Sequence, residues 1–304
     1  MAYAVLFPGQ GSQFGGMADP WAEHPAGLAV LEEVSAALGR SIVDGCHDEA
    51  ALATTEFVQP ALLACDVAAF RVLQAEGLRD VVGVAGHSLG EFAALVAAGA
   101  VELADALELV VARGAAMQRA GEERSGAMSA LLGVGADDAD ALCDEVRHGD
   151  VLVVANRNSP AQSVVSGSVE AIERLEAAAK SRKIRAVRLH VAGAFHSKLM
   201  RPAAQPVLDV LARIEIRDPA IPIAENVTGA LVTTAAPLRE LIGLQVVSPV
   251  RWEEGIRSLA AAGADRFLEA GPGAVLTKLM KRIDPGLTAS AVGDPTAARV
   301  TLAA

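Results

Sequence analysis

Cysteine is scarce in this 304-residue chain, and the three present, Cys46, Cys65 and Cys143, form no Cys-x-x-Cys pair. An odd count at such spacings suggests neither a disulfide framework nor a zinc site, so no metal is expected and a reducing cytoplasm fits. Positive charge is also short: 26 Lys and Arg stand against 37 Asp and Glu, a formal net charge of -11. Nucleic acids and anionic membrane surfaces attract proteins through a dominant basic field, so general binding to either is excluded and only local basic patches remain. No uncharged apolar run approaches the roughly 18 residues needed to span a bilayer. The stretch from Met1 to Pro8 lacks a basic n-region and breaks at the proline, so neither export nor membrane insertion is expected. What is plentiful is apolar surface, 52% of residues, enough to bury a core as one large domain or two unequal ones.

The most informative stretch runs from Val81 to Glu91. An apolar run ends there in Gly86-His87-Ser88-Leu89-Gly90 and reopens with helix formers, which reads as strand, sharp turn and helix with Ser88 at the apex. Gly86 and Gly90 stand where a side chain would block such a turn, and the free N-H groups of the helix start favour negative charge beside Ser88 Oγ. Ser88 is therefore the candidate covalent nucleophile. In a chain with 28 glycines the pentapeptide alone would be weak, and the flanking pattern carries the argument.

Upstream, the strand pattern Tyr3 to Phe7 opens into a Gly-rich loop, Pro8 to Gln13. Helical patterns follow at Leu28 to Leu38, Pro60 to Glu76 and, after the elbow, about Leu103 to Ala120. From Met128 to Val191 the order changes to strand Met128 to Val134, helix Ala139 to Arg147, strands Val151 to Ala155 and Gln162 to Ser166, helix Val169 to Arg182, and strand Ile184 to Val191. That is the βαββαβ order of a ferredoxin-like unit, here inserted into a larger body. A strand at Arg266 to Leu268, a turn at Gly271-Pro272-Gly273 and a helix from about Ala274 to Ile283 follow, and the residues after Pro295 read as a loosely held tail.

A serine hydroxyl is a poor nucleophile until a base takes its proton, so a histidine must serve it. His24, His47 and His148 read as solvated, and His190 as a structural position in a strand. His87 follows the turn backbone away from Ser88 Oγ toward supporting contacts. His196, in Gly193-Ala194-Phe195-His196-Ser197, lies where the inserted unit rejoins the main body and a loop can overhang the elbow. No acid falls at a strand end between Ser88 and His196, so a Ser-Asp-His hydrolase order is not met, whereas a Ser-His pair oriented by a main-chain carbonyl is adequate. Leu89 N-H supplies one oxyanion donor by geometry, and the Gly9-Gln10-Gly11 loop offers a second. Arg113 stands in a small, apolar stretch with Glu108 five residues before it, outside pairing distance along a helix. It either meets a distant acid or waits for an anionic ligand.

Pro8-Gly9-Gln10-Gly11-Ser12-Gln13, Gly86 to Glu91, Arg113-Gly114 with Met117-Gln118, Asn158-Ser159-Pro160, Gly193 to Ser197 and Glu269-Ala270-Gly271-Pro272-Gly273 together resemble the malonyl-CoA:acyl carrier protein transacylases. Acyltransferase domains of polyketide and fatty-acid synthases share much of the pattern. The resemblance implies an α/β-hydrolase-like core with a parallel sheet, residues 1-125 and 193-304, carrying the ferredoxin-like subdomain 126-192. It implies Ser88 as nucleophile, His196 as base, Gln10 and Leu89 N-H as oxyanion hole with Gly9 and Gly11 supporting, and Arg113 as the clamp on a malonyl carboxylate. Gln59, Met117 and Phe195 would line the pocket. In the family a main-chain carbonyl of an Asn-Pro-Val-Gln-Trp-like segment orients the imidazole; here the segment reads Ser248-Pro249-Val250-Arg251-Trp252, which puts that support on Arg251.

The activity so implied is malonyl transfer from coenzyme A to a carrier-protein thiol, with the thioester as substrate and no bound cofactor. The alternatives are a trans-acting loader of a polyketide synthase, a thioester hydrolase on the same site, or a silent carrier-binding homologue. A cytoplasmic monomer with a transient carrier-protein partner is the simpler expectation. The densest basic run, Lys180 to Arg185 with Arg188 behind it, either guides an acidic carrier protein or completes a helix C-terminus.

Overall fold

The computed structural model describes residues 1–303. After β1 (Tyr3–Phe7) come α1 (Asp19–Ala22), α2 (Pro25–Leu38), α3 (Ile42–Gly45), α4 (Glu49–Leu52) and the long α5 (Thr55–Ala75). Strand β2 (Val81–Gly86) and α6 (Gly90–Ala97) flank the elbow, and α7 (Leu103–Glu123) follows. A smaller unit comprises β3 (Gly126–Leu132), α8 (Ala136–Val146), β4 (Leu152–Ser159), β5 (Gln162–Ser168), α9 (Val169–Ser181) and β6 (Arg185–Arg188). The chain then forms α10 (Arg201–Leu211), β7 (Ile223–Ala224), β8 (Leu231–Val232), α11 (Ala235–Gln245), α12 (Trp252–Ala261), β9 (Arg266–Ala270), α13 (Val275–Ile283), β10 (Thr288–Val292) and α14 (Pro295–Ala303).

Among the described residues the larger sheet has the order β10-β9-β1-β2-β7-β8, parallel except for the β7–β8 edge. Its inner strands are apolar because helices cover both faces, and β1 is buried at all five positions. The smaller sheet is antiparallel, in the order β4-β5-β3-β6, with α8 and α9 packed over Leu131, Val154 and Val165. A bridge stitches the two units: Val250 N donates to Ala155 O at 2.8 Å and Arg157 N to Val250 O at 2.9 Å. Parallel strands place every carboxyl end on one edge, so the segments after Phe7, Gly86, Ala224 and Ala270 converge there.

Several expectations from sequence need correction. The stretch after Pro295 is not a loose tail: it is α14, whose Ala298 is fully buried, and it packs on α5 and β10. Helix α5 starts at Thr55 rather than Pro60, because the Thr54 side chain caps it by accepting from Phe57 N, and Pro60 is absorbed in its second turn. His24 is the N-cap of α2, its Nδ1 accepting from Ala26 N at 3.1 Å. The last strand of the smaller unit ends at Arg188, so His190 lies beyond it and is exposed at the rim of a cleft.

The elbow is possible only with glycine. A Cβ on Gly86 would stand 1.9 Å from Gly90 C, and one on Gly90 would stand 2.1 Å from Phe7 O. Gly86→Ala is expected to cost about 3 kcal/mol or more, since the Gly90–Glu91 peptide that the methyl would strike is helix backbone and cannot yield. Gly15→Ala, with nothing within 4 Å of the new methyl, is expected to stay within about 0.5 kcal/mol. Urea midpoints of the two variants check this, and equal midpoints would refute it.

Candidate active site

Ser88 follows β2 with φ 53°, in the left-handed region that a residue with a side chain enters only under constraint. Its amide donates to Asn226 Oδ1 at 2.8 Å, and its carbonyl accepts from Gln245 Nε2 at 2.9 Å. This conformation lifts Oγ out of the turn. The Ser88 hydroxyl donates to His196 Nε2 at 2.7 Å, and Arg113 Nη2 donates to the same oxygen at 2.9 Å.

His196 also has a positive φ, 57°, and is 3% exposed. Its Nδ1-H points at two carbonyls, Gln245 O at 3.1 Å and Ser248 O at 3.0 Å, which fixes the tautomer that leaves Nε2 free to accept. Main-chain carbonyls thus do the orienting, as expected, but they do not belong to Arg251. Arg251 caps α12, its amide bonds Asn226 O at 2.8 Å, and its guanidinium pairs with Glu254 at 3.3 Å. Ser248, the first residue of the expected segment, supplies one of the orienting carbonyls, and Gln245, three residues earlier at the end of α11, supplies the other. Burial first, then the Arg113 charge, pulls His196 down to about 3.

Arg113, on α7, is 1% exposed. Gln59 Oε1 on α5 accepts from its Nη1 at 2.8 Å, Phe92 lies beneath it with the ring centre at 5.6 Å, and its Nε has no partner. Burial lowers it to about 10, with Glu91 the opposing influence. Gln59 also reaches Met117 Sδ at 3.7 Å. A guanidinium buried with one amide and one hydroxyl, and with no carboxylate in ion-pair contact among the described residues, is set up for an anion.

Gly9 brings the first loop against the elbow, where a Cβ would stand 2.2 Å from His87 O. Among the described residues the amides of Gln10 and Leu89 have no acceptor within the protein. Gly11, at φ 106°, turns the loop and donates to Gln13 Oε1 at 2.6 Å. Gln10, Gly11, Ser88, Arg113, Met117, Phe195 and His196 line one cleft of about 230 Å3, closed on its other side by Met128, Asn156, Leu189, His190 and Val191. Gln59 and Leu89 sit directly behind that wall, both buried. His87 also borders this cleft, but its Nε2-H is committed to Asn158 Oδ1 at 2.9 Å.

Sequence reasoning passed over Glu91, Asn226 and Gln245, each at most 3% exposed, which form the base under the elbow. Only Glu91 offered a signal, as an acid at the start of an apolar helix. Burial, then Glu225, pushes it up to about 8 against the donors Gln245 and Asn226 and the charge of Arg113.

A histidine-paired serine at the carboxyl ends of a parallel sheet defines a class, α/β proteins arranged for nucleophilic work on a carbonyl group. The acyl transferase domain profile matches residues 5–293. The chain is 42% identical to the malonyl CoA-acyl carrier protein transacylase of Escherichia coli K12, over 99% of this chain and 98% of that one. The crystal structure of an acyl-carrier-protein S-malonyltransferase from Burkholderia pseudomallei superposes with a TM-score of 0.95 at 38% identity, covering 100% of both chains. A malonyl-transacylase solved in complex with its type II polyketide acyl carrier protein gives 0.95 at 39%, covering 100% of this chain and 99% of that one. The chain belongs to the acyl transferase domain family.

Because His196 stays neutral far below the ordinary histidine range, labelling of Ser88 by a sulfonyl fluoride is expected to show no fall between about pH 7.5 and 5. The sign is fixed by the base form: a lowered imidazole pKa extends proton acceptance toward acid. An inflection near 6.5 in the labelling rate would refute it. Arg113→Ala removes a charge that holds His196 down, so the acid limb should move upward.

Proposed function

We propose that the protein carries malonyl from malonyl-CoA to the phosphopantetheine thiol of an acyl carrier protein through a Ser88 ester. The supporting observation is the buried Arg113 guanidinium, which shares Ser88 Oγ with His196 and otherwise meets only an amide. A carboxylate two bonds beyond a thioester carbonyl is the group that such a cation would take. On binding, the malonyl carboxylate draws Arg113 from Ser88 Oγ into a two-point contact, with Gln59 steadying the fork. His196 Nε2 takes the hydroxyl proton as Oγ attacks the carbonyl carbon, and Leu89 and Gln10 N-H hold the oxyanion. Collapse expels the thiol, which receives the proton from His196. The carrier-protein thiol then runs the steps in reverse. Gln245 and Ser248 carbonyls stabilise the imidazolium between steps. Met117 and Phe195 shape the acyl pocket. The reaction requires no metal or bound cofactor, and it serves fatty-acid or polyketide carrier proteins by the same chemistry.

In this reading residues 1–125 and 193–304 form an α/β-hydrolase-like core, and 126–192 a ferredoxin-like subdomain that walls the cleft. The strand order β4-β5-β3-β6 over two helices supports the second assignment. Three buried free thiols suit the cytoplasm, and a monomer meets its carrier protein transiently. The carrier protein docks along the basic edge of the subdomain. Arg182 is held by Glu145 and Arg188 by Glu176, so Lys180, Lys183 and Arg185 are the cations without a carboxylate partner among the described residues.

Intact-mass analysis with malonyl-CoA, then holo carrier protein, tests the first reading. Wild type should gain a malonyl adduct and lose it to the carrier; Ser88→Ala should gain none, and His196→Ala should acylate about 10²-fold more slowly or worse. An adduct on Ser88→Ala sinks the nucleophile assignment, and loss of the adduct to water rather than carrier favours a hydrolase. Arg113→Ala should lose malonyl transfer and gain relatively on acetyl-CoA, read as kcat/KM for the two thioesters. Lys183→Glu with Arg185→Glu should raise the carrier-protein KM and flatten its salt dependence while leaving acylation by malonyl-CoA untouched. Unchanged transfer across a salt series would move the docking surface elsewhere.

A further inference from the structure

Three buried residues beneath the elbow form a closed set of contacts. The Glu91 carboxylate accepts from Asn226 N at Oε1, 2.8 Å, and from Gln245 Nε2 at Oε2. Asn226 Oδ1 in turn accepts from Ser88 N, and Asn226 Nδ2 donates to Gly86 O at 2.7 Å. Gln245 Nε2 also donates to Ser88 O, while Gln245 O accepts from His196 Nδ1. Each of the two peptide groups flanking Ser88 is therefore held by a residue that hangs on one oxygen of Glu91. The same Gln245 aims the imidazole.

We propose that Glu91 is a positioning residue of the acyl-transfer site, one carboxylate that holds Asn226 and Gln245 so that Ser88 and His196 keep their paired, left-handed conformations. This inference rests on the Ser88 and His196 reading given above. Ser88 at φ 53° and His196 at φ 57° both relax toward ordinary backbone when released, so their 2.7 Å contact needs a restraint. Main-chain turns alone do not supply it, because Asn226 lies on the loop after β7 and Gln245 at the end of α11, two segments far apart in sequence. Glu91 touches neither Oγ nor Nε2. It acts through its neighbours, and in its ionised form, which burial places above about pH 8, it does so where an amide cannot: both oxygens accept, whereas glutamine presents one acceptor and turns its NH2 toward a donor. The Gln245 amide would then swing, and the Ser88 carbonyl would lose its donor.

At about pH 9, where Glu91 is ionised, Glu91→Gln is expected to slow single-turnover acylation of Ser88 by malonyl-CoA by about 10- to 100-fold with an unchanged apparent KM, since Arg113 and Gln59 are untouched. Gln245→Ala, which keeps the carbonyl to His196, should produce a similar loss. The double variant should lose no more than the worse single one, because the two side chains act as one unit. The low-field Nδ1-H proton resonance of His196, identified by its absence in His196→Gln, should shift or broaden in Glu91→Gln. Wild-type acylation and an unmoved resonance in folded Glu91→Gln would overturn the inference, as would additive losses in the double variant. If Glu91→Gln does not fold, Gln245→Ala carries the same tests, and full acylation with an unmoved resonance there is equally fatal. Loss of the adduct in Ser88→Ala alongside normal Glu91→Gln would leave the nucleophile reading intact and remove only this one.

Discussion

A serine held in the left-handed region is the constraint on which the rest of the molecule is arranged. At φ 53° Ser88 costs on the order of 1–2 kcal/mol relative to ordinary backbone. That cost is sustained only because four chain segments meet at one point. Gly90 lets the elbow helix sit on Phe7 O, Gly9 lets the first loop sit on His87 O, and Asn226 and Gln245 grip the serine peptide from below. The parallel sheet makes this meeting possible, since β1, β2, β7 and β9 deliver their carboxyl ends to the same edge. Sheet topology, three glycines and two buried amides serve one strained residue.

Charge is handled with the same economy. The chain is acidic, with net charge -11, yet among the described residues the one cation buried in the cleft is left without a carboxylate in contact. Nearby acids are kept from neutralising it. Glu91 is engaged by two donors and raised to about 8 by burial. Elsewhere in the core, beside the Gly271 turn, Asp66 is driven well above the usual carboxylate range by burial and by Glu269. In a low-dielectric cleft an unpaired guanidinium is a strong demand for an anion, stronger than the same group would make at the surface.

Much of this was legible in the sequence, and the boundary of legibility is physical. Short-range patterns carried the elbow, because strand, glycine spacing and helix are consecutive; the βαββαβ order was readable for the same reason. His196 could be picked out as a loop residue at a junction of units. Arg113 stood out because a cation in a small-residue stretch breaks a local rule. What escaped were contacts between distant segments: Gln245 is 157 positions from the Ser88 carbonyl it holds, and nothing in its own neighbourhood marks it. The expected segment does reach the imidazole, through Ser248 at its start rather than through Arg251, while Gln245, three residues before it, went unnoticed. Helix α14 was read as a tail because alanine and threonine give no periodic signal, while its burial against α5 is a tertiary fact.

The smaller unit completes the argument about water. In the proposed reaction a Ser88 ester must outlast its encounter with solvent until a thiol arrives, and the elbow alone would leave it open. Met128, Leu189 and Val191 come from the inserted segment and its exit, and with Phe195 and Met117 they give the cleft an apolar wall around a few polar groups. His196 is 3% exposed within it, oriented by carbonyls rather than by a carboxylate, and burial together with the Arg113 charge keeps its imidazole a weak base in the resting state. A malonyl carboxylate that neutralises Arg113 removes the second-largest influence holding that imidazole down, so the correct acyl group raises the basicity of the residue that must deprotonate Ser88. On this reading acyl choice and catalysis are coupled through one charge. A neutral acyl group fails at the proton-transfer step as well as at binding, and water in an empty cleft meets a serine whose oxygen is still engaged by Arg113.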